Sequence, residues 1–215
     1  MRTPEQVNTI VTALENEYPM AACTLDYNEA WELLVSVRLA AQCTDERVNQ
    51  VVPALFAAYP TAEKMALAEP EDIEPYIRSC GFYHGKARDI VGAARMLVSD
   101  FGGVIPNDMD GLLKLPGVGR KSANLILGDV YHVPGSVVVD THCIRLSNRM
   151  GLVDDMKDPQ RIEPVLRAQL PPEKSNDFCH RLVLHGRAVC TARAPKCAVC
   201  CVRDVCQQYE KDHTV

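Results

Sequence analysis

Long apolar runs are missing from this 215-residue chain. None approaches the ~20 residues needed to span a bilayer, so no membrane-spanning helix is expected. A secretory leader is missing too: Met1 to Pro19 is polar and amphipathic, with Glu5, Glu15 and Glu17. There is no internal repeat and no low-complexity segment. One isolated β-branched run, Val137-Val138-Val139, has no obvious strand partner and is read as an extended connector. Nor is there an excess of positive charge, the formal net charge being -5. Together these absences exclude a solenoid, a β protein and a uniformly basic nucleic-acid binder, and they predict a cytoplasmic protein.

What is present is helical periodicity over nearly the whole length. Val7, Ile10, Val11 and Leu14 share one helical face, as do Trp31, Leu34, Val35 and Leu39. Val48, Val51, Val52, Leu55 and Phe56 mark a third helix, which Pro53 should kink or break early. Short helices are expected at 62–68 and 71–78, and a longer one at 86–101, ended by Gly102-Gly103. Further helices are expected at 141–150, 159–170 and 175–189, with Asp140 as the N-cap of the first. The fold class is all-α.

Charge is unevenly placed. Residues 1–30 carry five acidic side chains against Arg2 alone, whereas residues 111–150 carry five Lys or Arg against Asp129 and Asp140. Residues 178–206 carry five cations against Asp204. A local field of this kind decides where a polyanion docks, whatever the net charge.

The first cationic segment contains Leu115-Pro116-Gly117-Val118-Gly119-Arg120-Lys121. Pro116 disfavours the α conformation at Leu115, so a helix should stop there. Gly117 and Gly119 permit positive φ and close backbone approach. A second helix beginning near Arg120 turns its unpaired N–H groups outward, an arrangement suited to phosphate, and Arg120 and Lys121 add charge. Such a turn can also be a plain packing element.

Ten cysteines are many for a chain without a leader, and point to metal or buried thiols rather than disulfides. Cys190, Cys197, Cys200 and Cys206 form C-x6-C-x2-C-x5-C in one short terminal segment, and Cys201 offers a competing thiol. Four thiolates this close suit a tetrahedral metal site or a cubane cluster, although structural zinc more often uses two C-x2-C knuckles. Cys23, Cys43, Cys80, Cys143 and Cys179 are read as buried small hydrophobes. His142, His180 and His185 are read as satisfying internal hydrogen bonds.

The glycine turn, the Val139-Asp140-Thr141-His142 run and the terminal cysteines together resemble the endonuclease III family of the helix–hairpin–helix DNA glycosylases, from about residue 4 to 211. The resemblance implies a six-helix barrel domain at 22–133 and a discontinuous helical iron–sulfur domain made of 1–21 and 134–215. It implies an active-site cleft between them, Lys121 as nucleophile and Asp140 as catalytic carboxylate. A base inside a duplex is out of reach and must be extruded, and an amine nucleophile leaves a Schiff base that undergoes β-elimination. The implied activity is removal of oxidised pyrimidines and cleavage at the abasic site. An adenine-mismatch glycosylase is disfavoured by Lys121 and by the absence of a further domain after the cysteines. A non-catalytic DNA-binding module would not need the Lys121–Asp140 pair.

The resemblance also implies a [4Fe-4S] cluster on Cys190, Cys197, Cys200 and Cys206, with Arg187, Arg193, Lys196 and Arg203 offsetting its charge. Arg193 and Lys196 become phosphate contacts, alongside Gly117, Gly119 and Arg120. Ala40 to Asp45 resembles the segment whose glutamine enters the vacated stack, here Gln42. Gly81 to His84 resembles the second insertion loop, with Phe82 where the family commonly has an aliphatic residue. Ala40 stands where serine is frequent, and Asp45 either caps the next helix or serves the site. The expected partner is duplex DNA carrying damaged pyrimidines or abasic sites, bound by a nucleoid-associated monomer with no membrane contact.

Overall fold

The computed structural model describes residues 1–213, and all its regular structure among them is helical. Twelve α-helices occur among the described residues. They are α1 Pro4–Glu17, α2 Ala30–Ala40, α3 Asp45–Ala58, α4 Ala62–Ala66, α5 Pro70–Ile77, α6 Tyr83–Phe101, α7 Met109–Lys114, α8 Arg120–Asp129, α9 Thr141–Met150, α10 Pro159–Gln169, α11 Ser175–Ala188 and α12 Gln207–His213. None is long and apolar enough to cross a membrane. Val137, Val138 and Val139 are buried and lie outside regular structure.

The chain divides into two compact units, one comprising Met1–Ala22 with His132–Val215, the other Cys23–Tyr131. The Cys23–Tyr131 unit holds α2 to α8 around a core that includes Leu33, Leu39, Leu55, Met65, Ile73, Leu97, Leu112 and Ile126. Within it α6 packs on α4 and α5, and α2 touches α3, α6 and α8. In the other unit α11 packs on α1 and α9. There, Val7, Ile10, Val11 and Leu14 of α1 are all buried, the apolar face that their spacing demands.

Local chemistry sets the helix ends. Thr3 and Gln6 form a capping box on α1, and Thr44 rather than Asp45 caps α3, accepting from the Arg47 N–H at 3.3 Å. Asp45 instead accepts from the Thr24 hydroxyl at 2.6 Å. Gly102, at φ 62°, ends α6 in the left-handed conformation. Helix α6 begins at Tyr83, earlier than its apolar spacing suggests, because Phe82 itself takes the left-handed conformation at φ 47° and starts the helix.

Pro53 does not break α3, which runs five residues beyond it. Buried Val52 and Leu55 on either side hold the helix to the core, while Pro53 is exposed. Its ring therefore costs one backbone hydrogen bond and gains no packing. Pro53→Ala is expected to raise unfolding stability, by up to about 3 kcal/mol. Urea unfolding of the two proteins checks this; an unchanged or lower midpoint would mean that the proline packs usefully.

Candidate active site and cysteine loop

The glycine turn is built on a half-buried ion pair. Leu115 is buried, and the Val118 N–H donates to the Leu115 carbonyl at 3.1 Å, closing a tight turn between α7 and α8. At its apex Gly117 has φ 77°. A Cβ there would stand 2.6 Å from Arg38 Cδ and 2.9 Å from Asp89 Cβ. Arg38 Nε and Nη2 both donate to Asp89 Oδ2, at 2.7 and 2.6 Å. The turn thus lies directly on a pair contributed by α2 and α6.

Gly119 differs from the expectation. Its φ is −107°, an ordinary extended value, so it needs no left-handed freedom. A Cβ there would meet nothing within 4 Å. Its absence keeps the outer face of the turn open instead. Gly119 is the N-cap of α8 without a side-chain cap, so the first-turn N–H groups are directed outward at the positive end of the helix dipole. Arg120 and Lys121 occupy the first two positions of α8 and both are exposed. Buried Ala123, Ile126 and Leu127 anchor the helix behind them.

Two further loops of the same unit carry side chains on left-handed backbone. Gln42 (φ 55°) and Phe82 (φ 47°) are non-glycine residues in a region that is uncommon for glutamine and costly for phenylalanine. Gln42 follows α2 in a turn closed by the Cys43 N–H on the Ala40 carbonyl at 3.1 Å. Phe82 is 75% exposed, an uncommon placement for so large a ring.

Asp140, Cys190, Cys197, Cys200 and Cys206 belong to the other unit. Asp140 caps α9, its Oδ1 accepting from the Cys143 N–H at 2.7 Å. Beside it, burial pulls His142 below its usual pKa, opposed by the Asp140 carboxylate.

Cys190, Cys197, Cys200 and Cys206 all line one cavity of about 40 Å³, walled also by Val189, Pro195, Val202 and Tyr209. Among the described residues no three His, Cys, Asp or Glu side chains converge as a single bound ion requires. Arg149 Nη1 donates to Cys190 Sγ at 3.3 Å and to the Thr191 carbonyl at 2.8 Å, while Nη2 reaches the Ala192 carbonyl at 2.9 Å. Arg145 donates to the Cys190 carbonyl at 3.1 Å. His185 joins Cys200 Sγ, at 3.3 Å from Nε2, to the Tyr18 hydroxyl, at 3.1 Å from Nδ1. Burial lowers His185 to about 4 and pushes the Cys200 thiol up to about 12.

Sequence reasoning assigned the charge-offsetting cations to the terminal segment itself. Within that segment Arg203 pairs with Asp204 and donates to the Ala198 carbonyl of the loop. Arg149 and Arg145, four residues apart on α9, add further bonds to the cysteine loop from outside it; that i, i+4 spacing was the available signal. Arg193 and Lys196 are exposed between Cys190 and Cys197. Cys201 is exposed and Cys23 and Cys43 only half-buried, so of the cysteines read as core only Cys80, Cys143 and Cys179 are buried. His185, His142 and His180 all have internal partners, Tyr18, Arg145 and Asn176.

Residues 35–172 match the model of the HhH-GPD superfamily base excision DNA repair proteins. Endonuclease III of Synechocystis sp. is 45% identical over 94% of this chain and 92% of its own. Endonuclease III of Bacillus subtilis is 36% identical, over 96% and 94% respectively. A trapped endonuclease III–DNA covalent intermediate superposes with a TM-score of 0.91 over 100% of both chains, at 36% identity.

The two glycines should separate in a stability measurement. Gly117→Ala combines positive φ with a clash on Arg38 and should cost about 2 kcal/mol or more. Gly119→Ala loses only a modest N-cap preference, less than about 1 kcal/mol. Equal losses on urea unfolding would contradict the packing role given to Gly117.

Proposed function

The chain belongs to the HhH-GPD superfamily of base excision DNA repair proteins, and we propose that it excises oxidised pyrimidines from duplex DNA and then cleaves 3′ to the abasic sugar. The observation that carries the reading is Lys121, an exposed amine in the first turn of an uncapped helix, directly behind a glycine turn open to solvent. Backbone N–H groups there bind phosphate, and the amine next to them reaches the sugar that the phosphate positions.

The target nucleotide is first extruded from the stack. Gln42 fills the space left behind and Phe82 wedges the opposite face; both are exposed on backbone held in an unfavourable conformation. The neutral Lys121 Nζ attacks C1′ as the glycosidic bond breaks; the base leaves with the bonding pair and takes up the proton that the alkylated amine gives up. Opening of the sugar ring gives a Schiff base between Nζ and C1′. Loss of a C2′ proton then expels the 3′ phosphate, and water releases the amine. Asp140 stabilises positive charge developing on the sugar. Its cap bond to Cys143 fixes the carboxylate while leaving a second oxygen for that task. Arg120, Arg193 and Lys196 add phosphate contacts that position without reading sequence.

Cys190, Cys197, Cys200 and Cys206 hold a [4Fe-4S] cluster. The fit is supported by four thiols around one cavity with apolar walls and by the Arg149 bond to Cys190 Sγ. When bound, the cluster ties the terminal loop together. Arg149 and Arg145 offset its negative charge from behind, leaving Arg193 and Lys196 facing outward.

Borohydride added during turnover should reduce the Schiff base and leave DNA covalently attached at Lys121, located by peptide mapping. Lys121→Gln should abolish the adduct and retain binding to damaged duplex. An adduct formed by Lys121→Gln at the wild-type rate would assign the nucleophile elsewhere. Protein purified anaerobically should contain close to four irons per chain, and Cys197→Ser should lose iron and order in the terminal loop together, because metal binding and local folding are coupled. Stoichiometric zinc in place of iron would sink the cluster assignment.

A further inference from the structure

Among the largest fully buried side chains of the described residues is a lysine. Lys86, 1% exposed, lies in the first turn of α6. Its Nζ donates to the Leu39 carbonyl at 2.7 Å and to the Cys80 carbonyl at 2.6 Å. Leu39 is in the last turn of α2, where backbone carbonyls lack intrahelical partners and the helix dipole is negative. Cys80 closes the short 3-10 turn Arg78–Cys80. Burial pulls the Lys86 amine below its usual pKa, and the neighbouring Cys43 and Cys80 thiols, themselves hydrogen-bonded, oppose that shift.

A buried cation satisfied by only two carbonyls is an expensive way to stabilise a core, and an apolar side chain of the same volume would often do as well. What distinguishes these carbonyls is their place. Leu39 stands three residues before Gln42, and Cys80 two residues before Phe82. Gln42 and Phe82 are the two exposed side chains of this unit on non-glycine left-handed backbone. Such conformations persist only where the surroundings over-determine them. One ammonium therefore grips the bases of both strained loops at once.

We propose that Lys86 is a positioning residue for base excision, tying the Gln42 and Phe82 loops into one rigid pair so that both side chains meet the duplex in register. The inference rests on the reading of Gln42 and Phe82 as duplex contacts. Lys86 touches neither substrate nor reacting atoms; it acts through the loops. Without it the two loops relax independently, and extrusion of the nucleotide loses its preset geometry.

The test is a cycle on single-turnover excision from a duplex carrying one thymine glycol. Lys86→Met keeps length and volume and removes the donors. It should lower the rate by about 10- to 100-fold, the scale of a small misplacement of reacting groups. Affinity for undamaged duplex should stay within about two-fold, since phosphate contacts are untouched. In a Gln42→Ala, Phe82→Ala background the same substitution should change the rate by less than about two-fold, because residues that act as a unit are not additive. If Lys86→Met does not fold by circular dichroism, Lys86→Gln, which retains N–H donors on a shorter stem, replaces it with a smaller loss expected. A folded Lys86 variant with the wild-type rate, or an equal loss in both backgrounds, would overturn the proposal. Wild-type excision by the Gln42→Ala, Phe82→Ala protein would instead overturn the reading of the loops on which it rests.

Discussion

The close approach of Gly117 to the Arg38–Asp89 pair is the contact on which the geometry of the hairpin depends. Arg38 comes from α2 and Asp89 from α6, so the pair ties two helices of the core unit together. The turn before α8 then rests on that pair without a Cβ between them. A guanidinium held through two of its nitrogens is a stiff platform, because both bonds fix its plane. The start of α8 is therefore aimed by packing rather than by its own residues. The nucleophile proposed at Lys121 would need that aim: an amine on a flexible stem gains reactivity toward one carbon only when its backbone is fixed.

The same economy recurs at the cysteine loop. Arg149 and Arg145 project from α9 and together take carbonyls at Gly186, Cys190, Thr191 and Ala192, besides the Cys190 sulfur. The Tyr18–His185–Cys200 chain closes the other side, with Tyr18 and His185 in edge contact. Most of the loop has no regular structure, so its backbone polar groups need partners from elsewhere. Helix side chains supply them. This leaves the loop's own exposed cations, Arg193 and Lys196, outside the network that holds it.

Helix content, the glycine turn and the terminal cysteine spacing were legible because they are local. Periodicity of 3.6 residues, proline's fixed φ and the reach of neighbouring thiols act over a few positions, and each writes a pattern in sequence. Hence α1, α9 and α11 lie close to where apolar spacing and Asp140 predicted them. Pro53 does not end its helix, because buried neighbours outweigh one lost backbone bond. Gly119 misled because a glycine can serve open space as well as positive φ.

The chain by itself determined an all-helical protein with a phosphate-suited helix start, an amine beside it and four thiols in one loop. Tertiary structure alone decided what holds those features in place. The Arg38–Asp89 platform joins residues 51 positions apart, and Lys86 reaches a carbonyl 47 positions away. Arg149 meets Cys190 across 41 positions. Contacts at such separations leave no period in the sequence, and an arginine that binds backbone carbonyls looks there like any exposed cation. A charged side chain reads as surface until the fold supplies partners that make its burial favourable.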